Sequence, residues 1–264
     1  MIEQANNIYK DKYLKRVVET DPDLRQITLH DARYYQRSPG VFYPSVTTVL
    51  GYFPKDKFFE MWMKDVGHNA DLIMRRAGDE GTQVHKAIEA YLEGKEVRWI
   101  ESDGHVNYKT GVWKMILAFI DFWTTYKPTL IMSEEFMYSD THKYSGTLDL
   151  LVEINGERWV LDIKTSNALH ESYHLQMAAY TRAFEEMKGE KVARNGIIWL
   201  KSAKRGPDKS GKKMQGPGWE IAEGKKTVDE YFEMFLHTYA TYRIMNPEEE
   251  IELLTLPNVV KLAE

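Results

Sequence analysis

The sequence predicts an α/β fold, and two observations support that prediction. Residues 146–154 and 157–165 are runs of β-forming residues that are separated only by Asn155 and Gly156. An Asn-Gly pair between such runs is a strong hairpin signal, because a two-residue type I′ turn needs a positive φ at both positions. Helical patterns lie on both sides of this hairpin, over residues 58–76 with a break near Gly67, and over residues 79–93, 106–126, 170–188 and 227–245.

Two acidic residues of the predicted hairpin face each other. If Asn155 and Gly156 form the loop, the numbers of paired residues sum to 311, which places Asp149 opposite Asp162. Paired residues share a face of the sheet with Cβ atoms about 4.5–5.5 Å apart, and strand alternation places Lys164 on that face. Because the surrounding residues are almost all apolar and the two carboxylates repel each other, we expect a Mg²⁺ or Mn²⁺ site between them. The alternative is a surface hairpin whose charges point into water.

Composition limits the kinds of site and partner. The chain has 264 residues, no cysteine and a net charge of −5, so disulfides, Fe–S clusters and thiolate zinc sites are impossible in it. The negative net charge argues against a protein that binds nucleic acid over its whole surface, but it allows an enzyme with a local basic patch. No apolar run reaches 18 residues and the first residues are not those of a signal peptide, so we expect a soluble, cytoplasmic protein with no membrane partner.

The chain is predicted to form one domain over residues 1–264. It divides into an N-terminal extension (1–40), a core that carries the motifs (41–200), a basic loop (201–218), and a C-terminal strand and helix (219–264). Residues 31–40 read as a loop. Further strands are predicted over residues 129–138, 196–200 and 219–222.

Three polar residues on predicted helices or strands are candidates for the same site. His85 borders the apolar stripe of the helix over 79–93, where a single histidine is more often a packed residue than a ligand. Glu134 shares a predicted strand face with Met132, Phe136 and Tyr138, so its carboxylate should be paired or close to a metal. Gln176 lies within an aromatic helix stripe, either as an amide satisfied by backbone groups or as a residue that orients water or phosphate near Lys164.

Hydroxyl and basic residues are candidates for nucleic-acid binding. Ser45 or Thr47 is a plausible helix N-cap, and a helix N-terminus with hydroxyls can also accept phosphate. Basic tracts beside a phosphodiester-cleaving site can grip the nucleic-acid backbone, although such tracts are usually solvated loops. The candidates are Ser45, Thr47, Arg75, Arg76, Lys204, Arg205, Lys209, Lys212 and Lys213.

The order of these residues resembles a known family. His85, Asp149, Asp162-Ile163-Lys164 and Gln176-x-x-x-Tyr180 resemble the motifs of the RecB-like branch of the PD-(D/E)xK nucleases. The segment 44–47 and the run DIKTS are most similar to the mitochondrial genome maintenance exonuclease and to phage exonucleases. The resemblance covers roughly residues 41 to 200, and five motifs in order are far more specific than a lone D-x-K.

The resemblance implies a central mixed β-sheet flanked by helices, with a metal centre at the hairpin. His85, Asp149, Asp162 and the backbone carbonyl of Ile163 would ligate one or two Mg²⁺ or Mn²⁺ ions, and Glu134 matches a less constant acidic position. Several relatives carry a four-cysteine Fe–S cluster, which this chain cannot form.

The resemblance also assigns roles around that metal centre. Lys164 would help to deprotonate or orient the attacking water, and Gln176 and Tyr180 would support Lys164 and the phosphate. A lysine near both carboxylates and a cation has opposing influences on its pKa, so the choice between a base and an electrostatic clamp stays open.

The leading hypothesis is a metal-dependent DNA exonuclease that acts from free ends in recombination, repair or replication, with a phage origin as one option. The alternatives are a structure-specific or restriction-type endonuclease with the same core, a catalytically inactive nucleic-acid-binding module, and a purely structural metal site. A homo-oligomer or a partner recombination protein is compatible with the sequence.

Overall fold

The computed structural model describes residues 8–10, 15–18, 26–29, 32–200, 218–246 and 251–254. The strands are β1 Ile8–Lys10, β2 Lys15–Val18, β3 Gln26–Leu29, β4 Ala32–Ser38, β5 Val41–Pro44, β6 Thr129–Ser139, β7 Tyr144–Ile154, β8 Glu157–Lys164, β9 Arg194–Leu200, β10 Trp219–Ala222 and β11 Ile251–Leu254. The α-helices are α1 Val46–Leu50, α2 Lys57–Val66, α3 Ala70–Leu92, α4 Thr110–Tyr126, α5 Glu171–Lys188 and α6 Val228–Met245.

A five-stranded mixed sheet forms the centre, in the order β10-β9-β8-β7-β6. β8 and β9 are parallel, and the other neighbours in the sheet are antiparallel. Parallel strands need a crossover connection rather than a tight turn, and α5 supplies it between β8 and β9. The predicted fold class, a central mixed sheet flanked by helices, is confirmed.

The hairpin of β7 and β8 has the predicted register. Ile154 pairs with Glu157 and Leu150 with Leu161, so the numbers of both pairs sum to 311. Both loop residues have positive φ, 53° at Asn155 and 80° at Gly156, as a type I′ turn requires. The paired region ends at Leu150 and Leu161. Asp149 precedes Leu150 and Asp162 follows Leu161, so both acids lie at the end of the hairpin that is far from the loop.

Alternate pairs of this hairpin enter two different apolar layers. Leu151 and Val160 pack among the residues of α1, α5 and α6. Leu150 and Leu161 pack on the opposite side, among the residues of α3 and α4. All four side chains are at most 1 % exposed, and burial of such a side chain is worth roughly 1.5–3 kcal/mol. The two layers therefore hold the hairpin, and with it the acidic residues, in a fixed position.

The helices before the hairpin differ from the prediction in their bounds, and α4 begins at Thr110 rather than at residue 106. The expected break near Gly67 is present, where φ is 52° and one turn of 3₁₀ helix, Gly67–Asn69, joins α2 to α3. The predicted break between residues 76 and 79 is wrong, because α3 runs without interruption from Ala70 to Leu92. Gly78 lies inside α3, and a single glycine costs a helix only about 1 kcal/mol relative to alanine.

The region before residue 45 contains strands where a loop was expected. β3, β4 and β5 form a separate antiparallel sheet, so the loop prediction for residues 31–40 is wrong. Tyr34 is buried against Ile27 and Leu29, which explains why β4 forms in a stretch that is otherwise polar. A further small sheet has the order β1-β2-β11. Within the described ranges, no helix is both long and apolar enough to span a membrane.

Candidate functional site

A cavity of about 660 Å³ opens where α3, α5 and the acidic end of the β7–β8 hairpin meet. Most of the residues predicted for the site line this cavity, although they come from three helices, three strands and the N-cap of α1. They are Ser45, Thr47, His85, Glu134, Asp149, Asp162, Lys164, Gln176 and Tyr180.

Asp149 is held by the backbone of the neighbouring strand. Its Oδ2 accepts a hydrogen bond from the N–H of Ile163 at 2.8 Å, and its side chain is 12 % exposed. Burial raises the pKa of Asp149, although the charges of His85 and Lys164 oppose that rise. The carboxylate is therefore aimed into the cavity at a fixed position.

His85 faces two carboxylates across the cavity. Its Nδ1 lies 3.7 Å from Glu134 Oε1 and 3.7 Å from Asp149 Oδ2. Burial lowers the pKa of His85, but the carboxylates of Asp149 and Glu134 outweigh burial and raise it to about 9. Nε2 lies 3.1 Å from the carbonyl oxygen of Ile163 and can donate a hydrogen bond to it, which leaves Nδ1 facing the carboxylates.

Glu134 reaches the site through an irregular backbone. Its φ is 50°, and neighbouring residues Ser133 and Glu135 are paired with β7 on either side of it. The predicted common face is wrong, because Met132 and Met137, which regular alternation would place on opposite faces, both pack against the layer of α1, α5 and α6. The left-handed residue interrupts the period-two alternation on which that prediction depended.

Asp162 is almost completely buried, with only 2 % of its side chain exposed. Gln176 Nε2 donates a hydrogen bond to Asp162 Oδ1 at 3.0 Å, while Oδ2 lies 2.6 Å from Lys164 Nζ as an ion pair. The ammonium of Lys164 is the one partner of Oδ2 among the described residues. Burial raises the pKa of Asp162 to about 6, against the opposing charge of Lys164.

Lys164 carries its ammonium beside these acids. Burial lowers the pKa of Lys164, but the carboxylates of Asp162 and Asp149 outweigh burial and raise it above its ordinary value. The ammonium also lies 5.0 Å from the centroid of the Tyr173 ring. In this environment Lys164 is a cation at neutral pH.

Gln176 and Tyr180 form one hydrogen-bonded pair on α5. Gln176 Nε2 lies 3.3 Å from the Tyr180 hydroxyl, so the amide bridges that hydroxyl and Asp162 rather than capping backbone groups. The Tyr180 ring approaches β7 so closely that a Cβ added at Gly146 would lie 2.6 Å from Cε1. The glycine of the GTLD sequence therefore provides the space in which Tyr180 sits.

The predicted nucleic-acid-binding residues are only partly at the cavity. Ser45 is 2 % exposed and caps α1 by accepting the N–H of Thr48 at 3.0 Å, so its hydroxyl is occupied, whereas Thr47 is exposed at the cavity wall. Arg75 and Arg76 are exposed on α3 and do not line the cavity. The five basic candidates between residues 204 and 213 lie outside the described residues.

The sequence interpretation missed some cavity residues. Arg33 and Lys86 contribute basic side chains to its wall, and the hydroxyls of Tyr35 and Thr147 are 3.0 Å apart there. Lys86 follows His85 directly and could have been suspected from that position. Arg33 and Tyr35 gave no signal, because they lie in the stretch that was interpreted as a loop.

The donor set of the cavity suits a hard divalent cation. Ligand atoms of His85, Glu134 and Asp149 all lie within 4.8 Å of one another, and Asp162 adds a buried carboxylate oxygen whose one partner among the described residues is the ammonium of Lys164. Carboxylate oxygens with one imidazole fit Mg²⁺ or Mn²⁺ better than they fit soft metals. The carbonyl of Ile163 accepts from His85 but keeps a second lone pair.

Comparison with known families identifies this arrangement. The profile of the PD-(D/E)XK nuclease superfamily matches residues 62–249, which is more than half of the chain and includes every candidate metal ligand. The chain belongs to the PD-(D/E)XK nuclease superfamily. The region that matches the superfamily includes Asp149, Asp162 and Lys164 of the hairpin.

Similarity to individual proteins is weak. None of the curated proteins matches the sequence. A crystal structure described as a "putative exonuclease" from Eubacterium rectale shares 17% identity, with a TM-score of 0.40 over 66% of this chain and 69% of that one. The crystal structure of the protein SSO0001 shares 12% identity, with a TM-score of 0.28 over 63% of this chain and 87% of that one.

Proposed function

We propose that this PD-(D/E)XK nuclease belongs to the RecB-like branch and is a Mg²⁺- or Mn²⁺-dependent DNA exonuclease that hydrolyses phosphodiester bonds from free ends. The observation that supports this most strongly is the convergence of His85, Glu134 and Asp149 beside the Asp162–Lys164 ion pair. A purely structural metal site would gain little from a buried ammonium next to the metal. A role in recombination, repair or replication belongs to the same proposal.

His85, Asp149 and Asp162 would hold the metal, with Glu134 and the carbonyl of Ile163 as further ligands. When bound, a divalent cation of this kind neutralises charge that develops on the phosphate and makes a water more acidic. The chain itself contributes the geometry, since Asp149 is fixed by the N–H of Ile163 and Asp162 by the amide of Gln176. Ligands held in this way need little reorganisation when the metal binds.

Lys164 would act on the phosphate and on the attacking water as a hydrogen-bond donor. In the metal-free protein the carboxylates of Asp162 and Asp149 raise its pKa, and its ammonium lies 2.6 Å from Asp162 Oδ2. We assign it to the stabilisation of negative charge on a non-bridging phosphate oxygen and to the orientation of the water. Gln176 and Tyr180 would be positioning residues that act through Asp162.

The endonuclease alternative shares every feature of this site, so the decisive property is the need for a free end. The experiment follows end-labelled linear DNA and the same sequence as a circle, each single- and double-stranded, in Mg²⁺. Loss of the linear forms alone would support an exonuclease, and the position of the label would give the polarity. Cleavage of the circles would favour the endonuclease, and EDTA-insensitive binding without any cleavage would leave only a binding module.

A further inference from the structure

A second cavity, of about 280 Å³, lies where α2 meets the start of α5. Three aromatic rings and one imidazole contribute to its wall, and none of them belongs to the proposed metal centre. They are Phe53, Phe59, Tyr173 and His170. At about 30 Å³ for each water-sized group, this volume corresponds to about nine such groups, which is the scale of a single nucleobase and about half that of a base pair.

The Tyr173 ring separates this second cavity from the metal site. Its centroid lies 5.0 Å from the ammonium of Lys164, which lines the first cavity, and it meets the ring of His170, which lines the second, edge-on at a centroid distance of 5.3 Å. A ligand in the second cavity would therefore be only one aromatic ring away from the residue that is proposed to contact the scissile phosphate. That separation suits a nucleotide next to the one that is cleaved.

The charges around the second cavity leave it without an unpaired acid. Asp56 accepts the N–H of Phe59 at 2.7 Å and lies 3.3 Å from His170 Nδ1. Glu171 forms an ion pair with Lys226. Lys55, in contrast, has no carboxylate partner within the described residues, and its ammonium lies 6.0 Å from the Phe59 ring. The cavity wall therefore combines aromatic rings with one lysine and two carboxylates, each of which already has a partner.

We propose that this cavity binds one unpaired nucleobase of the DNA strand, directly next to the scissile phosphate. The inference rests on the proposed nuclease function and adds that the substrate must be single-stranded at that position. Aromatic side chains stack on any base because every base has a π-face, and the ammonium of Lys55 suits the phosphate that the nucleotide carries. The site would therefore grip the strand without reading its sequence.

The test places a single abasic residue at successive positions of a single-stranded, end-labelled oligonucleotide and measures KM for the first cleavage in Mg²⁺. Base stacking on an aromatic side chain is worth roughly 1–3 kcal/mol, which is about 5- to 150-fold. We expect one abasic position beside the cut to raise KM at least about fivefold in the unmodified protein. Phe59→Leu should reduce that effect below about twofold, whereas Phe59→Trp should keep it, because only the second variant retains an aromatic face.

Two results would overturn this inference: no abasic position changes KM, or Phe59→Leu discriminates as strongly as the unmodified protein. The first result needs no variant, so the test holds even if Phe59→Leu fails to fold. Cleavage of DNA without any abasic effect refutes the base site alone. Failure of the unmodified protein to cleave any DNA refutes the proposed function, and the base site with it.

Discussion

The amide of Gln176 donates a hydrogen bond to Asp162 Oδ1 at 3.0 Å and lies 3.3 Å from the hydroxyl of Tyr180. This contact joins the α5 layer directly to the proposed metal centre. Gln176 is 6 % exposed, so water cannot readily replace its amide as a donor. The orientation of the Asp162 carboxylate therefore depends on a residue that would not itself touch the metal.

Gln176→Leu should weaken metal binding about 10- to 100-fold, as loss of a residue that orients a ligand typically does. Without its donor, Asp162 Oδ1 is left buried and unpaired, which favours the protonated carboxyl. The measurement is a Mn²⁺ titration followed by the paramagnetic signal of the free ion. Gln36→Leu is a matched control, since Gln36 lies on β4 and does not line the cavity. Equal affinities for the two variants would contradict the role given to Gln176.

Gly146→Ala should destabilise the protein by roughly 1–3 kcal/mol, because overpacking of a close contact forces a shift of neighbouring atoms. The added Cβ would lie 2.6 Å from the Tyr180 ring, which is held between β7 and the buried amide of Gln176. Urea unfolding with a common m-value gives the change in the free energy of unfolding.

The same substitution at Gly78 provides the control. A Cβ at Gly78 meets no atom within 4 Å, and the residue lies inside α3. Gly78→Ala should therefore stabilise the protein by about 0.4–1 kcal/mol. The opposite signs of the two changes test the packing around Tyr180, and a neutral effect at Gly146 would show that Tyr180 moves freely.

His85 should stabilise the metal-free protein at neutral pH and lose that contribution in alkali. Its pKa is about 9 in the folded protein, above the ordinary value of 6.5, because Asp149 and Glu134 outweigh burial. A group whose pKa rises on folding contributes fully below its unfolded pKa, and the contribution disappears as the pH rises through its folded pKa. The free energy of unfolding is measured in EDTA for the unmodified protein and for His85→Ala. The difference between the two values should become smaller as the pH rises from about 6.5 to about 9. A difference that is constant or rises with pH would refute the ion-pair geometry at His85.

Metal affinity should increase with pH over the same interval. A metal that binds at Nδ1 of His85 must displace the proton, and the carboxyl of Asp162, whose pKa is about 6, must also be ionised. We expect the apparent affinity for Mn²⁺ to rise by up to about tenfold per pH unit between pH 7 and pH 9. Calorimetry in buffers of different ionisation enthalpy would count the released protons. Binding without proton release would exclude His85 as a ligand.

The local part of this structure could be predicted from the sequence. The Asn155-Gly156 turn sets the hairpin register through its own backbone requirements, so the positions of Asp149, Asp162 and Lys164 follow from chain numbering alone. Gln176 and Tyr180 follow from helical spacing in the same way. These signals involve neighbours in the chain, which is why they could be read without the tertiary structure.

The remaining parts depend on contacts between distant segments. The burial of Tyr34 beneath β3 and the contact of Tyr35 with Thr147 decide that β4 is a strand, and neither contact leaves a local pattern. Glu134 reaches the site because of one left-handed residue in β6, which regular alternation does not predict. The single-domain division and the roles of the site residues stay predictions.

The central claim is that Lys164, held beside Asp162, makes this cavity a phosphodiester-hydrolysing site. Its most direct test compares the rate of Mg²⁺-dependent cleavage of linear DNA by the unmodified protein, by Lys164→Ala and by Lys109→Ala, a matched change at an exposed lysine that pairs with Glu80. We predict that Lys164→Ala cleaves at least about 100-fold more slowly, the scale for loss of one donor that stabilises developing charge, while Lys109→Ala keeps the unmodified rate. Equal rates for all three proteins would contradict the account.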